Sequence, residues 1–256
     1  MATAKTPAVK KPTEVMSIQE RLRAEVAGIQ ERVGAPGGDV ISVTQDKMFK
    51  LPDGAKHPGP MDVVIVDFVS SNSFYEHNFD PNNISPPACF AISTNPSQLT
   101  PSNNSPVRQS DSCATCPMNQ FGSDGKGKAC KNSRLLALLP VDADNETPIM
   151  VLKVSPTAIK AFDSYVTSVA RSFQLPPLGV VTEVCFDDGV TYASLRFKNP
   201  RPNENIELAF ARRDEARARL MTEPDVSSYE MAPPPPSKKP AARPAARPAR
   251  RCWPGR

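Results

Sequence analysis

Cys113-Ala-Thr-Cys116 is the segment of this chain best suited to do chemistry. Two residues between cysteines let both thiolates reach one ion from a tight turn, a spacing typical of structural metal sites. Cys130 follows in the same polar stretch, and Cys89 precedes it. Four thiolates close a tetrahedral structural zinc site with Zn–S near about 2.3 Å. The run NQFGSDGKGKA, residues 119–129, is too polar to build a core of its own. A bound metal supplies about 10–16 kcal/mol to fix such a loop. The expectation is therefore Zn2+ on Cys89, Cys113, Cys116 and Cys130. An iron–sulfur cluster on the same cysteines is the alternative cofactor. A redox Cys-x-x-Cys is disfavoured, because no thioredoxin-like βαβ pattern surrounds it. If Cys89 is only a small buried hydrophobe on a strand, His77 or solvent takes the fourth position. Cys185 alternates with Val184 and Phe186 and reads as strand filler; Cys252 reads as a free thiol.

Between these cysteines, residues 122–129 (GSDGKGKA) nearly spell a phosphate-binding P-loop. Ala129 stands where the magnesium-binding Ser or Thr belongs, and no strand-to-helix junction is in view. NTP hydrolysis is rejected on that ground. The same residues suit direct phosphate contact: Lys126, Lys128, Lys131 and Arg134 form a local cationic patch, and glycine amides at 122, 125 and 127 can approach phosphate oxygens. Solvated loop charges are the plainer alternative. Phe74, Tyr75, Phe79 and Phe121 lie in polar surroundings where burial is not obvious. Exposed rings there can stack on bases, at about 1–3 kcal/mol each; core caps are the plainer reading. Tyr192 and Phe197 fall on opposite faces of a strand, so at most one points at a ligand.

No catalytic set emerges. His57 and His77 are the only histidines, and neither has an evident nucleophile at a fixed spacing. Asp62 and Asp67 point to opposite faces of a strand and cannot work as a pair. The chain reads as a non-enzyme.

The elements that must position these groups follow from periodicity. Residues 1–16 read as a disordered basic head. Ile18, Leu22, Val26, Ile29 and Val33 recur at helical spacing, which predicts an amphipathic helix over 17–34 with Ser17 as N-cap. Residues 40–51 hold one or two short strands. Met61–Val69 is the clearest strand, ended by Ser70-Ser71-Asn72, and 88–92 is another. Residues 93–133 form a long Ser/Asn/Pro/Gly-rich loop of the kind that is functional or metal-stapled. Strands follow at 134–139 and 148–154. Ser155-Pro156 opens a helix running to about Phe173 and stopped by Pro176-Pro177. Strands 179–186 and 190–197 make a hairpin around Asp187-Asp188-Gly189. A charged helix covers 205–220. The tail from 223 becomes Pro/Ala/Arg-rich and disordered. This order predicts a mainly β fold with flanking helices (α+β). Its closest pattern is an OB-type five-stranded barrel over 35–222, with a zinc knuckle inserted at 89–131.

Charge narrows the partners. The chain has 31 Lys+Arg against 27 Asp+Glu. Ten of those cations lie in residues 1–12 and 231–256, which carry no acid; setting them aside leaves a body near −6. A uniformly basic nucleic-acid binder is excluded, so any polyanion site on the body is a local patch. No apolar run is long enough to span a membrane. No apolar signal region is visible near the N-terminus, which predicts a cytoplasmic protein whose cysteines are reduced.

Phe49-Lys-Leu-Pro-Asp-Gly54, Pro87-Ala-Cys-Phe-Ala91, Cys113-x-x-Cys116-Pro-x-Asn119, Phe121-Gly-Ser123 and Gly125-Lys-Gly-Lys-Ala-Cys-Lys131 together resemble a group of bacteriophage-encoded single-stranded DNA-binding and replication-accessory proteins. The resemblance covers about residues 47–220. It implies an OB-type barrel, zinc on the four cysteines, and protection of unwound DNA during phage replication or recombination in the host cytoplasm. Proteins of that kind often end in an acidic, partner-recruiting tail, whereas this chain ends in PAARPAARPARR. A cationic tail adds non-specific, salt-dependent DNA affinity instead. Replication proteins are expected to dock, if at all, through helix 17–33 or the tail. The rival function is a zinc-containing protein-interaction module acting on a polymerase or transcription complex without touching DNA. A structural virion component is a third.

Overall fold

The computed structural model describes Ile18, residues 39–76 and residues 85–229. The basic head, the predicted helix 17–33 apart from Ile18, His77, Phe79, Cys252 and the tail from 230 lie outside the described residues. Two compact units divide the rest. The first comprises 39–72, Ile92–Leu99 and Lys131–Thr222; the second comprises 73–76, 85–91, Thr100–Cys130 and 223–229.

The first unit is built on a mainly β framework with a few helices. Its strands are β1 (Val40–Val43), β2 (Phe49–Lys50), β3 (Lys56–His57), β4 (Met61–Phe74), β5 (Cys89–Ser93), β6 (Lys131–Pro140), β7 (Met150–Val154), β8 (Val180–Phe186) and β9 (Leu195–Pro202). β4 and β5 carry the chain between the units. All nine strands belong to one sheet, in the order β3-β2-β1-β7-β6-β4-β8-β9, with β5 paired to β4 off that path. Among the described strands β3 and β9 are free edges, so the sheet is an open half-barrel. The OB-type pattern expects five strands, whereas this sheet has nine.

β1 lies parallel to β7, pairing Val40 with Val151 and Ile41 with Leu152. Sequence reading did not anticipate this pairing, because parallel partners leave no hairpin turn between them.

The sheet is covered on both faces, as its continuous apolar strands require. Val63, Ile65, Leu136, Leu138, Leu152 and Val154 pack toward helix α1 (Ile159–Phe173), which contributes Phe162, Tyr165 and Val169. Their neighbours in sequence face the other way. Val66, Ala137 and Leu139 meet Ala216 and Leu220 of α3 (Arg213–Leu220), while Val64 and Val181 meet Ala209 of α2 (Ile206–Ala211). Alternation along β4 feeds three apolar clusters on the two faces of the sheet.

Several boundaries differ from expectation for local reasons. β4 continues through Ser70, Ser71, Asn72 and Ser73, all buried. The Ser133 hydroxyl donates to the Ser71 carbonyl at 3.1 Å, so part of this polar run is satisfied inside. The predicted helix start is a 3-10 turn, Pro156–Ala158; the Ser155 hydroxyl sits 3.0 Å from that of Thr157 and caps no amide. α1 ends on Gln174 in the left-handed conformation, at φ 57°, where a glycine was absent to announce the stop. Helix 205–220 breaks at Arg212 into α2 and α3. β8 and β9 form the expected antiparallel hairpin, pairing Phe186 with Leu195. Its connection is wider than the expected tight turn, closing only where the Asp187 amide donates to the Ser194 carbonyl at 2.8 Å. Among the described residues no helix is long and apolar enough to cross a membrane.

Phe162 is the hub of the α1 core. It is fully buried, with the rings of Phe68 and Phe197 5.1 and 5.0 Å away in edge-on geometry. Phe162→Ala is expected to cost about 3–5 kcal/mol in denaturant unfolding. A loss under about 1 kcal/mol would show that this core is not the one that holds the sheet.

Candidate metal centre and its hairpin

All four cysteines of the predicted metal set fall in the second unit, and all are buried. Cys89 sits at the start of β5. That segment is stitched on both sides: the Ala88 amide donates to Phe74 O at 2.9 Å, and the Val107 amide donates to Ala88 O at 2.8 Å. One residue on, the Phe90 amide donates to Ser105 Oγ at 3.0 Å.

Cys113 and Cys116 sit on a turn held by amide side chains. Asn119 Nδ2 donates to Cys113 O at 2.7 Å, and Gln120 Nε2 donates to Ala114 O at 3.1 Å. Cys116 leads into a 3-10 turn, Pro117–Asn119, in which the Asn119 amide donates back to Cys116 O at 3.0 Å. Pro117 fits there because the first position of such a turn needs no donor. Cys130 returns to the same place: its amide donates to Met118 O at 2.8 Å. Ser123 Oγ fastens the return, lying 2.7 Å from Gln120 O and 2.9 Å from Met118 O while accepting the Ala129 amide at 2.9 Å.

The sulfurs are close enough to affect one another. The Cys130 thiol is pushed up to about 12, first by burial and then by the charges of Cys113, Cys116 and Cys89, with Lys128 acting in the opposite sense. None of the cysteines among the described residues is in a disulfide. As they stand, no three or more Cys, His, Asp or Glu side chains among the described residues are drawn together as an ion would hold them. The donor set itself, four buried thiols of one unit, fits the ligand chemistry of a structural zinc site.

The segment between Cys116 and Cys130 folds into a tight hairpin. Gly122 N donates to Gly127 O at 2.8 Å, and Gly127 N donates to Asp124 O at 3.0 Å. Gly122 and Gly125 hold φ of 92° and 61°, a region that disfavours side chains. The hairpin presents Phe121, 82% exposed, with Lys128 Nζ 5.1 Å from its ring centroid. Lys128 also lies 3.4 Å from Asn119 Oδ1. Lys126 is exposed on the same hairpin.

The other predicted contact residues are placed differently. Phe74 is half-buried as the last residue of β4 rather than exposed in a loop. Tyr75 follows it, 39% exposed; burial raises its hydroxyl pKa and a hydrogen bond with Ser73 lowers it. Lys131 and Arg134 belong to β6 in the first unit. Arg134 is already engaged: its Nε and guanidinium nitrogen reach the two oxygens of Asp163 at 3.2 and 3.0 Å.

Of the groups screened for catalysis, Asp62 pairs with Arg201 at 2.8 Å, and Asp67 with Arg217 at 2.9 Å. Their division onto separate partners agrees with their opposite facing. His57 Nδ1 accepts the Gly59 amide at 2.9 Å. Cys185, half-buried on β8, sits where strand alternation placed it. Sequence reading missed Asn119 and Gln120, whose side chains lock the turn. Their short spacing from Cys113 and Cys116 was the available signal.

Asn119→Ala removes the bond to Cys113 O, a loss of about 1 kcal/mol. Amide exchange at Cys130, measured by mass spectrometry, is expected to speed up several-fold. Unchanged exchange would mean that Asn119 does not hold the turn. No protein-family model matches the chain, and no curated protein or solved structure shows a significant match to it.

Proposed function

We propose that this chain is a non-enzymatic single-stranded DNA-binding protein whose ligand-contacting hairpin is fixed by zinc on Cys89, Cys113, Cys116 and Cys130. The observation that carries the reading is Phe121. A phenylalanine kept in water on a hairpin of glycine and lysine, with an ammonium 5.1 Å from its ring, is poorly explained by packing. A base stacked on that ring and a phosphate on Lys126 or Lys128 would use both features. Tyr75 adds a second partly exposed ring in the same unit. Arg134 and Lys131 are secondary contacts in this reading, Arg134 because Asp163 already neutralises it. Phe74 is secondary too, since it is half-buried.

The ion supplies a structural cross-link and no catalytic step. The chain's own residues do the binding: Asn119 and Gln120 fix the turn, Gly122 and Gly125 allow the hairpin to reverse, and Phe121 and the lysines face the ligand.

We read the open half-barrel as an enlarged relative of the OB-type barrel. The zinc loop is inserted between β5 and β6, and α1 lies ahead of the closing hairpin as that fold's helix would. The biological setting follows from the resemblance: protection of unwound DNA in phage replication or recombination. The rival reading, a protein-interaction module, is favoured by Phe210, 66% exposed on α2, and by the half-exposed Met221 beyond α3.

The full chain is expected to bind a fluorescent oligothymidylate at low salt. Lys126→Glu with Lys128→Glu should weaken binding at least about tenfold and reduce the salt slope by about one to two phosphate equivalents. Phe121→Ala should cost about 1–3 kcal/mol. No binding by the wild-type chain at low salt favours the protein-interaction module, and unchanged affinity in the lysine variant removes the hairpin from the interface.

A further inference from the structure

The first unit carries two clefts. One, of about 820 Å3, lies between β1, Lys153 of β7 and the loop after β8, and is lined by Thr44, Lys153, Ser155, Pro156, Tyr192 and Leu195 among others. The other, of about 720 Å3, runs between α1 and β9 past Thr157, Lys160, Ser164, Ser168, Arg196 and Lys198. Pro156 and Leu195 line the first, and their chain neighbours Thr157 and Arg196 line the second.

No Asp or Glu lines either cleft, although the chain without its basic ends is net acidic. Lys160 and Lys198 are exposed and carry no ion pair among the described residues. Arg196 is committed to Asp187, its Nε 3.0 Å from the carboxylate. The usable cations are therefore Lys153, Lys160 and Lys198, and hydroxyls of Ser155, Thr157, Ser164 and Ser168 accompany them.

Tyr192 lines the first cleft and is 53% exposed. Its loop is held in place: Lys47 Nζ donates to Asp187 O at 2.9 Å and to Val190 O at 2.7 Å, while the Asp187 amide donates to Ser194 O. A loop fixed before the ligand arrives loses little entropy on binding. Both sheet faces are covered by helices in this unit, so an extended ligand has no open sheet face to lie on there.

We propose that the two clefts act together as one furrow, a second contact site for single-stranded nucleic acid, with phosphates on Lys160 and Lys198 and a base stacked on Tyr192. A flexible strand suits clefts lined by cations, hydroxyls and one ring, and hydroxyls add phosphate contacts without reading sequence. The site rests on the reading of the chain as a single-stranded DNA-binding protein.

The test uses the full chain and a fluorescent oligothymidylate. Lys160→Glu with Lys198→Glu is expected to weaken binding at least about tenfold and to lower the salt slope. Tyr192→Ala should weaken it about tenfold with less effect on that slope. Photocrosslinking of a bromodeoxyuridine oligonucleotide to the unaltered chain should label Tyr192, which guards against a variant that misfolds. Unchanged affinity in both variants with no crosslink in residues 153–198, while Lys126→Glu with Lys128→Glu still weakens binding, overturns the furrow alone. Polyglutamate displacing the oligonucleotide as well as unlabelled oligothymidylate does would also overturn it, because the furrow would then be a site for acidic protein. No binding by the unaltered chain overturns the furrow together with the reading beneath it.

Discussion

The proposed zinc site turns on four sulfurs, because the segment of the second unit that holds three of them buries little else. From Thr100 to Cys130 the buried apolar residues are Pro101 and the cysteines themselves. Hydrophobic burial cannot order a segment of that composition against its conformational entropy. Hydrogen bonds from Asn119, Gln120 and Ser123 shape the turns, but each contributes only about 1 kcal/mol net. In our proposed reading, a shared ion supplies the larger interaction that this donor set can make.

The first unit is stabilised by the opposite means. β4 sends Val63 and Ile65 to one core and Val64 and Val66 to two others, so one strand ties α1, α2 and α3 to the same sheet. The burial of Phe162, Leu136, Leu138 and Leu152 requires no metal. In our proposed reading the contact residues lie on both units. Rigid, two-sided packing supplies a scaffold in the first, and the two exposed rings are carried on loops fixed by a few polar contacts. Phe121 and Tyr192 are both held this way, one by a glycine hairpin and one by Lys47.

The sequence made the elements legible where periodicity was strong. Val40–Val43, the start of β4, β6, β7 and α1 all lie where apolar spacing placed them. The clustering of the cysteines was legible from spacing, and all four lie buried in the second unit; that they share an ion is our proposal. What could not be read was long-range. The parallel β1–β7 pairing, the Arg134–Asp163 bridge and the burial of Ser70–Ser73 depend on partners far along the chain. Arg134 looked like a phosphate ligand because its neighbours in sequence are lysines; its neighbour in space is a carboxylate. Tyr192 and Phe197 were expected on opposite faces of one strand, but β9 begins only at Leu195, and Tyr192 lies in the loop before it, exposed and lining a cleft.

X-ray absorption at the zinc edge on the purified full chain tests the central claim most directly. The account predicts one zinc per chain surrounded by four sulfur atoms at about 2.3 Å. A chain that carries no metal, or a metal with fewer than four sulfur neighbours, would contradict it.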